Sequence, residues 1–235
     1  MIFDPLYLLV IGIGFGLSLY ASTITKGRFR KYSQYTTRSR MTGADIARSI
    51  LEDNNIRDVK VERIPGELSD HYDPRTKVLR LSEPVYDSNS MAAFGVAAHE
   101  VGHAIQHAKS YSMLQFRSAW VPVANFGGGI STFVIILAFF MGGAASATGS
   151  TLAWLGVLLF GCTTVFTLVT LPVEFDASKR ALVCLKQGNY VTEKELDGAR
   201  KVLNAAAMTY VAAFITSLLT LLYWAHKLGL LGGRR

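Results

Sequence analysis

Hydrophobic and polar positions follow three different periods along this chain of 235 residues. Four runs, at 3–21, 121–143, 150–172 and 205–224, are almost wholly apolar and carry at most one ionisable side chain each. At about 1.5 Å rise per residue, helices of this length cross the roughly 30 Å of bilayer hydrocarbon, so the pattern predicts four transmembrane helices. Between the first two runs the periods shorten. Thr42 followed by Asp45 reads as a helix start, Ile46, Ala47, Ile50 and Leu51 supply one apolar face, and Asn54-Asn55 reads as the stop. Alternation with period two at 59–62, and again at 77–82 after the Asp73-Pro74 turn signal, predicts two or three short strands. Ser88-Asn89-Ser90 then offers an N-cap for an apolar helix from about 91 to 107.

Composition reinforces the membrane reading, since half of the residues are hydrophobic and only 17% are charged. That balance argues against a purely soluble globular enzyme. The net charge of +7 would hint at nucleic acid in a soluble protein. Its distribution points instead to membrane orientation, with the lipid bilayer as partner and no nucleic acid. Fifteen Lys and Arg fall between Lys26 and Arg117, and six between Lys179 and Lys201. Basic residues beside membrane segments stay on the cytoplasmic side, so both stretches are expected to be cytoplasmic. The 144–149 loop has no basic residue and is expected outside, as is the amino terminus, which offers only Asp4. Lys227, Arg234 and Arg235 oppose this assignment at the carboxyl end. Because Lys26, Arg28, Arg30 and Lys31 follow the first run rather than precede it, that run reads as a retained anchor and not a cleaved signal. Gly12 and Gly16 within it have the spacing that lets a second helix approach closely, although glycine is common in membrane helices for other reasons. Cys162 inside a membrane run and Cys184 in a cytoplasmic stretch do not suggest a disulfide.

The predicted 91–107 helix carries His99-Glu100-Val101-Gly102-His103. Histidines four apart lie on one helical face, so both imidazoles reach a single Zn²⁺, with the adjacent glutamate beside it. Zinc brings the pKa of bound water to about 7, and a carboxylate in reach accepts the proton and passes it to a leaving amine, which is the chemistry of peptide hydrolysis. Three of the chain's five histidines fall within nine residues here. A catalytic site of this kind needs a third protein ligand and an open fourth position. His107 lies about 12 Å along the helix from His99, too far to share the ion. An astacin-like site would need histidine where the chain has Lys109. The third ligand is therefore expected from elsewhere, and the best remote candidate is Glu174, just past the third apolar run and on the same predicted side of the membrane, with Asp176 as its rival. Two residues apart on a helix, the two carboxylates diverge, so only one faces the metal.

The helix Val96-Ala97-Ala98-His99-Glu100-Val101-Gly102-His103-Ala104-Ile105-Gln106, the Asp70-His71-Tyr72-Asp73-Pro74 turn, Leu171-Pro172-Val173-Glu174-Phe175-Asp176-Ala177-Ser178, and the Leu196-Asp197-Gly198-Ala199-Arg200-Lys201-Val202-Leu203 segment with the 205–211 stretch after it together resemble the YugP-type neutral zinc metallopeptidases of bacterial membranes. The resemblance spans nearly the whole chain. It implies a gluzincin-like zinc metalloendopeptidase similar in layout to the HtpX-type membrane proteases, with one catalytic Zn²⁺ held by His99, His103 and Glu174 and with Glu100 as general base. The HtpX pattern has aspartate four residues after the ligand glutamate, where this chain has Ser178. The group that orients the ligand histidine is therefore open.

The expected fold is a mainly α-helical integral membrane protein, with four transmembrane helices and a small α+β gluzincin-like protease domain at the cytoplasmic surface of the bacterial inner membrane. Its segments are a first crossing at 1–21, the protease domain at 22–120, crossings at 121–143 and 150–172, a cytoplasmic helical segment with the third ligand at 173–204, and a last crossing at 205–225. Two alternatives stand beside this reading. In site-2 intramembrane proteases a Leu-Asp-Gly supplies the third ligand, and Leu196-Asp197-Gly198 matches by letter, but Asp197 sits among Glu193, Lys194, Glu195, Arg200 and Lys201, and the apolar run around His99 is shorter than about 18 residues. A zinc-binding membrane scaffold without turnover would have no need of Glu100. Expected substrates are proteins or peptides presented at the membrane, with segment 71–82 offering a strand edge for an extended chain. His71, Tyr72 and Tyr111 are open candidates for oxyanion donors, and any oligomeric or regulatory membrane partner is left open.

Overall fold

The structure is a computed structural model that describes residues 4–231. The first three residues of the first predicted crossing, and Arg234 and Arg235 of the charge argument, lie outside the described residues. The order of elements is α1 (Pro5–Tyr32), α2 (Gly43–Asp53), β1 (Lys60–Ile64), β2 (His71–Asp73), β3 (Val78–Ser82), α3 (Glu83–Tyr86), α4 (Met91–Ala108), α5 (Ser112–Phe140), α6 (Ala147–Gln187) and α7 (Glu193–Lys227). The chain divides into two compact units. One comprises Met1–Tyr20, Phe116–Leu171 and Tyr210–Arg235; the other comprises Ala21–Gln115 and Pro172–Thr209.

Helices α1, α5, α6 and α7 are each long and apolar enough to cross a membrane. Each extends past its apolar run. A change from apolar to polar side chains does not stop a helix; a capping residue in a non-helical conformation does. Helix α6 therefore continues through Glu174 and Lys179 to Gln187 and ends where Asn189 adopts a φ of 52°, the left-handed conformation typical of helix exits. Pro172 lies inside it.

Within the first unit the helices are tied by specific contacts. The Tyr7 ring lies 5.1 Å from that of Tyr223 and 5.7 Å from that of Trp224. Trp120 Nε1 donates to the Cys162 carbonyl at 2.9 Å, and the Thr164 and Ser217 hydroxyls meet at 2.8 Å. Where the sequence singled out the Gly12 and Gly16 spacing, the packed glycine is Gly14, at which a Cβ would come within 2.6 Å of Thr216 Cγ2; at Gly12 and Gly16 a Cβ would meet nothing. Phe15, Phe126, Phe133, Phe140 and Leu158 all face outward, each about two-thirds or more exposed.

The second unit is built on a shared apolar core in which Ile46 and Ile50 of α2, Leu79 and Leu81 of β3, Phe94 and Val101 of α4 and Leu185 of α6 are fully buried. Helix α2 begins with the predicted capping box. Asp45 N–H donates to Thr42 Oγ1 at 3.1 Å, and Thr42 N–H donates back to the Asp45 carboxylate at 3.0 Å. The strands form one sheet in the order β1-β3-β2, with β1 parallel and β2 antiparallel to β3. Alternation at 77–82 suggests a strand with one buried face. Instead β3 is central, with Val78, Leu79, Leu81 and Ser82 all buried. Being paired on both sides, it offers no free edge; within segment 71–82 only the short β2 does. Asp70 fixes the entry to β2 by accepting from the Ser82 backbone N–H at 2.7 Å and from its hydroxyl at 3.0 Å. Ser90 caps α4 by accepting from Ala93 N–H at 3.2 Å.

Candidate metal centre

The second unit brings three of the sequence-predicted site residues together. His99 and His103 face the same way from α4, and Glu174 reaches them from α6. His99 Nε2 lies 3.2 Å and His103 Nε2 3.6 Å from the same Glu174 oxygen, Oε2. One donor atom from each of the three side chains lies within 4.8 Å of the others, and among the described residues no other His, Cys, Asp and Glu side chains gather as a comparable group. Glu174 and His103 are buried, and the His99 side chain is only 14% exposed.

Gly102 explains how two helices come this close. A Cβ at this position would overlap the Ala177 carbonyl of α6, so the absence of a side chain sets the crossing point three residues from Glu174 and one from His103. The sequence exposes the histidine spacing but gives no sign that the residue between them is the contact.

The other ring nitrogens are held by polar side chains. His103 Nδ1 lies 3.1 Å from Gln106 Oε1, one turn further along α4. Gln106 is wholly buried, and its Nε2 donates to the Val173 carbonyl and to Asp176 Oδ2, both at 2.8 Å. Both of those partners are acceptors, so the amide orientation is fixed and Oε1 accepts. His103 therefore carries a proton on Nδ1, and Nε2 is the ring atom that faces Glu174. His99 Nδ1 lies 3.1 Å from Ser178 Oγ. Ser178 thus occupies the orienting place that the sequence left open. Asp176, the rival ligand, diverges from Glu174 as expected, yet it stays in the cluster through Gln106 and pairs with Arg180 at 2.5 Å. Gln106 is the residue that the sequence reading missed. Its signal was an uncharged polar side chain, one turn from His103, on an otherwise apolar helix.

Glu100 is buried beside this group and accepts a hydrogen bond from the Tyr72 backbone N–H. Burial pushes its carboxyl up to about 7. The nearby Glu174 and Asp70 carboxylates add to the rise, and His99 opposes it. His107 does not join the three. Its Nδ1 takes the Tyr72 hydroxyl at 2.8 Å, and burial pushes that phenol up to about 12. His71 is exposed, with Nδ1 2.9 Å from the Ser69 carbonyl, and Tyr111 stacks under the Arg180 guanidinium. Asp197 is half exposed and pairs with Lys201 at 2.5 Å on α7.

Residues 7–228 match the model of a family described as putative neutral zinc metallopeptidase. The chain belongs to this family. It is also 46% identical over 207 residues to the Bacillus subtilis (strain 168) protein named putative membrane protease YugP, an alignment covering 88% of this chain and 89% of that one. No solved structure matches. For a neutral zinc metallopeptidase the donor set fits, because two imidazole nitrogens and one carboxylate oxygen form a known three-ligand zinc set that leaves a fourth position open.

Proposed function

We propose that the chain is a membrane-anchored zinc endopeptidase with His99, His103 and Glu174 as metal ligands and Glu100 as general base, a gluzincin-like arrangement. The observation that carries this reading is the meeting of both Nε2 atoms at Glu174 Oε2, although Glu174 is on another helix and more than seventy residues from either histidine in sequence. Zinc, when bound there, supplies a Lewis acid and acidifies a water molecule. The protein's own residues do the rest. Gln106 and Ser178 hold the Nδ1 atoms, so that both rings keep Nε2 available. Glu100, buried and poised near neutrality, takes a proton from water and delivers it to the departing amine. The Tyr72 N–H fixes where that carboxylate points.

The site-2 alternative gains no support from Asp197, whose partner is Lys201. The scaffold alternative leaves a buried glutamate beside two histidines without a role. We assign four crossings and a cytoplasmic active site in the bacterial inner membrane, because twenty-one of twenty-four Lys and Arg lie in the two stretches next to the apolar runs. The outward Phe15, Phe126, Phe133 and Phe140 suit contact with hydrocarbon rather than water. Glu174 follows the end of the third apolar run by two residues, so substrates are membrane proteins or peptides presented close to the bilayer. Glu100→Gln tests the mechanism. It removes the base but no ligand, so zinc content should persist while cleavage of a casein-type substrate falls at least about a hundredfold. Near wild-type cleavage by the pure variant would reject it.

A further inference from the structure

The second unit also contains a groove of about 400 Å³ between the polar part of α6 and the start of α7. Its floor includes Phe175, Leu182 and Ala207, and Lys179, Lys186 and Arg200 stand along it, with no carboxylate among the lining residues. Lys186 is paired with Glu193 at 2.7 Å. Lys179 and Arg200 are exposed and form no close ion pair among the described residues; Asp176 and Asp197 act on them only at longer range, so two cations line an apolar groove without a bound carboxylate. Both walls adjoin apolar runs in sequence. Phe175 comes just after the run at 150–172, and Ala207 lies within the run at 205–224. Chain at such junctions sits at headgroup depth when the runs are in a bilayer.

We propose that this groove binds an anionic phospholipid, with the phosphate against Lys179 and Arg200 and the upper acyl chain against Phe175, Leu182 and Ala207. Charge complementarity favours the lipid over a zwitterionic one, and the apolar floor favours it over a free anion. Ser178 lines the groove and also touches His99 Nδ1 at 3.1 Å, so the occupant and a proposed zinc ligand share one side chain. That link rests on the peptidase reading; the binding itself does not.

Native mass spectrometry of the full-length protein in detergent tests it, titrating phosphatidylglycerol, phosphatidylcholine and inorganic phosphate separately. Phosphatidylglycerol should bind in preference to phosphatidylcholine. Lys179→Gln with Arg200→Gln should weaken it about twenty-five-fold, roughly fivefold for each cation. The control pair Arg57→Gln with Lys194→Gln, exposed cations outside the groove, should leave it unchanged. A circular-dichroism melt matching wild type establishes that the groove variant is folded, and Lys179→Gln alone supplies the single fivefold step if the double variant is not. Equal binding of the two lipids, or equal loss in the control pair, would overturn the proposal. Displacement of the lipid by millimolar inorganic phosphate, or binding of an acidic peptide there in place of lipid, would also overturn it, by assigning the groove to another ligand.

Discussion

Gln106 Oε1 lies 3.1 Å from Nδ1 of His103, and the same amide donates to the Val173 carbonyl and the Asp176 carboxylate. One buried side chain thus fixes the tautomer of a histidine on α4 and ties it to the helix that carries Glu174.

Removing that amide should loosen zinc more than it loosens the fold. Gln106→Leu leaves the Nδ1 proton without its acceptor and cuts the tie to α6, and loss of such a partner typically lowers metal affinity about 10–100-fold. Gln106→Glu keeps an acceptor on Nδ1 while losing the donor, so its zinc affinity should lie between Gln106→Leu and wild type. Chelator competition measures this, with melting of the zinc-free proteins as the separate gauge of folding. Equal zinc affinity in all three proteins would show that the hydrogen bond does not position His103.

At Gly102 two physical effects oppose each other. Alanine is the better helix former by about 1 kcal/mol, which would stabilise α4. A Cβ here, however, overlaps the Ala177 carbonyl, and the obstacle is backbone, which cannot rotate away. Overpacking of that kind costs about 1–3 kcal/mol, so Gly102→Ala should lower the melting temperature and weaken zinc binding by moving α6 away from α4. A higher melting temperature with unchanged zinc affinity would mean that the helices are not in contact at this point.

Local rules made some of this structure legible from the sequence and left the rest hidden. The N-caps Thr42 and Ser90 follow from side-chain chemistry within three residues, so the starts of α2 and α4 are readable. The spacing of His99 and His103 is equally local. Glu174 was reachable because a carboxylate directly after an apolar run is unusual. Gln106 lies one turn from His103, but the partners that fix its amide are 67 and 70 residues away, and Ser178 meets His99 across 79 residues, separations to which no local pattern points. The same holds for the sheet: the three-residue β2 is too short to show a period, and the central position of β3 depends on pairing order rather than on its own alternation. Helices α6 and α7 outrun their apolar runs because polarity and helicity are set by different properties of the same residues.

The topology reading has its own test, independent of the metal. With no other reactive thiol, single cysteines placed at Lys60 and Gln187 should resist a membrane-impermeant maleimide in intact cells, and one at Ser146 should react. Both native thiols, Cys162 and Cys184, are free and would first be replaced. Labelling at Lys60 would invert the orientation and put the proposed protease site outside the cell.

Which carboxylate completes the metal set separates the two protease readings. Glu174→Ala removes a donor that both Nε2 atoms face, so its zinc content after dialysis should fall to a small fraction of wild type. Asp197→Ala breaks only a solvent-screened surface pair with Lys201 and should leave zinc unchanged. Asp176→Ala is the graded case. It withdraws one acceptor from Gln106 but leaves the Val173 carbonyl to hold the amide, so affinity should drop less than in Gln106→Leu. Metal analysis and chelator competition on the three purified variants rank them. The order Glu174, Asp176, Asp197, from largest loss to none, is what the geometry requires. Loss of zinc in Asp197→Ala alone would reject Glu174 as a ligand and revive the intramembrane alternative.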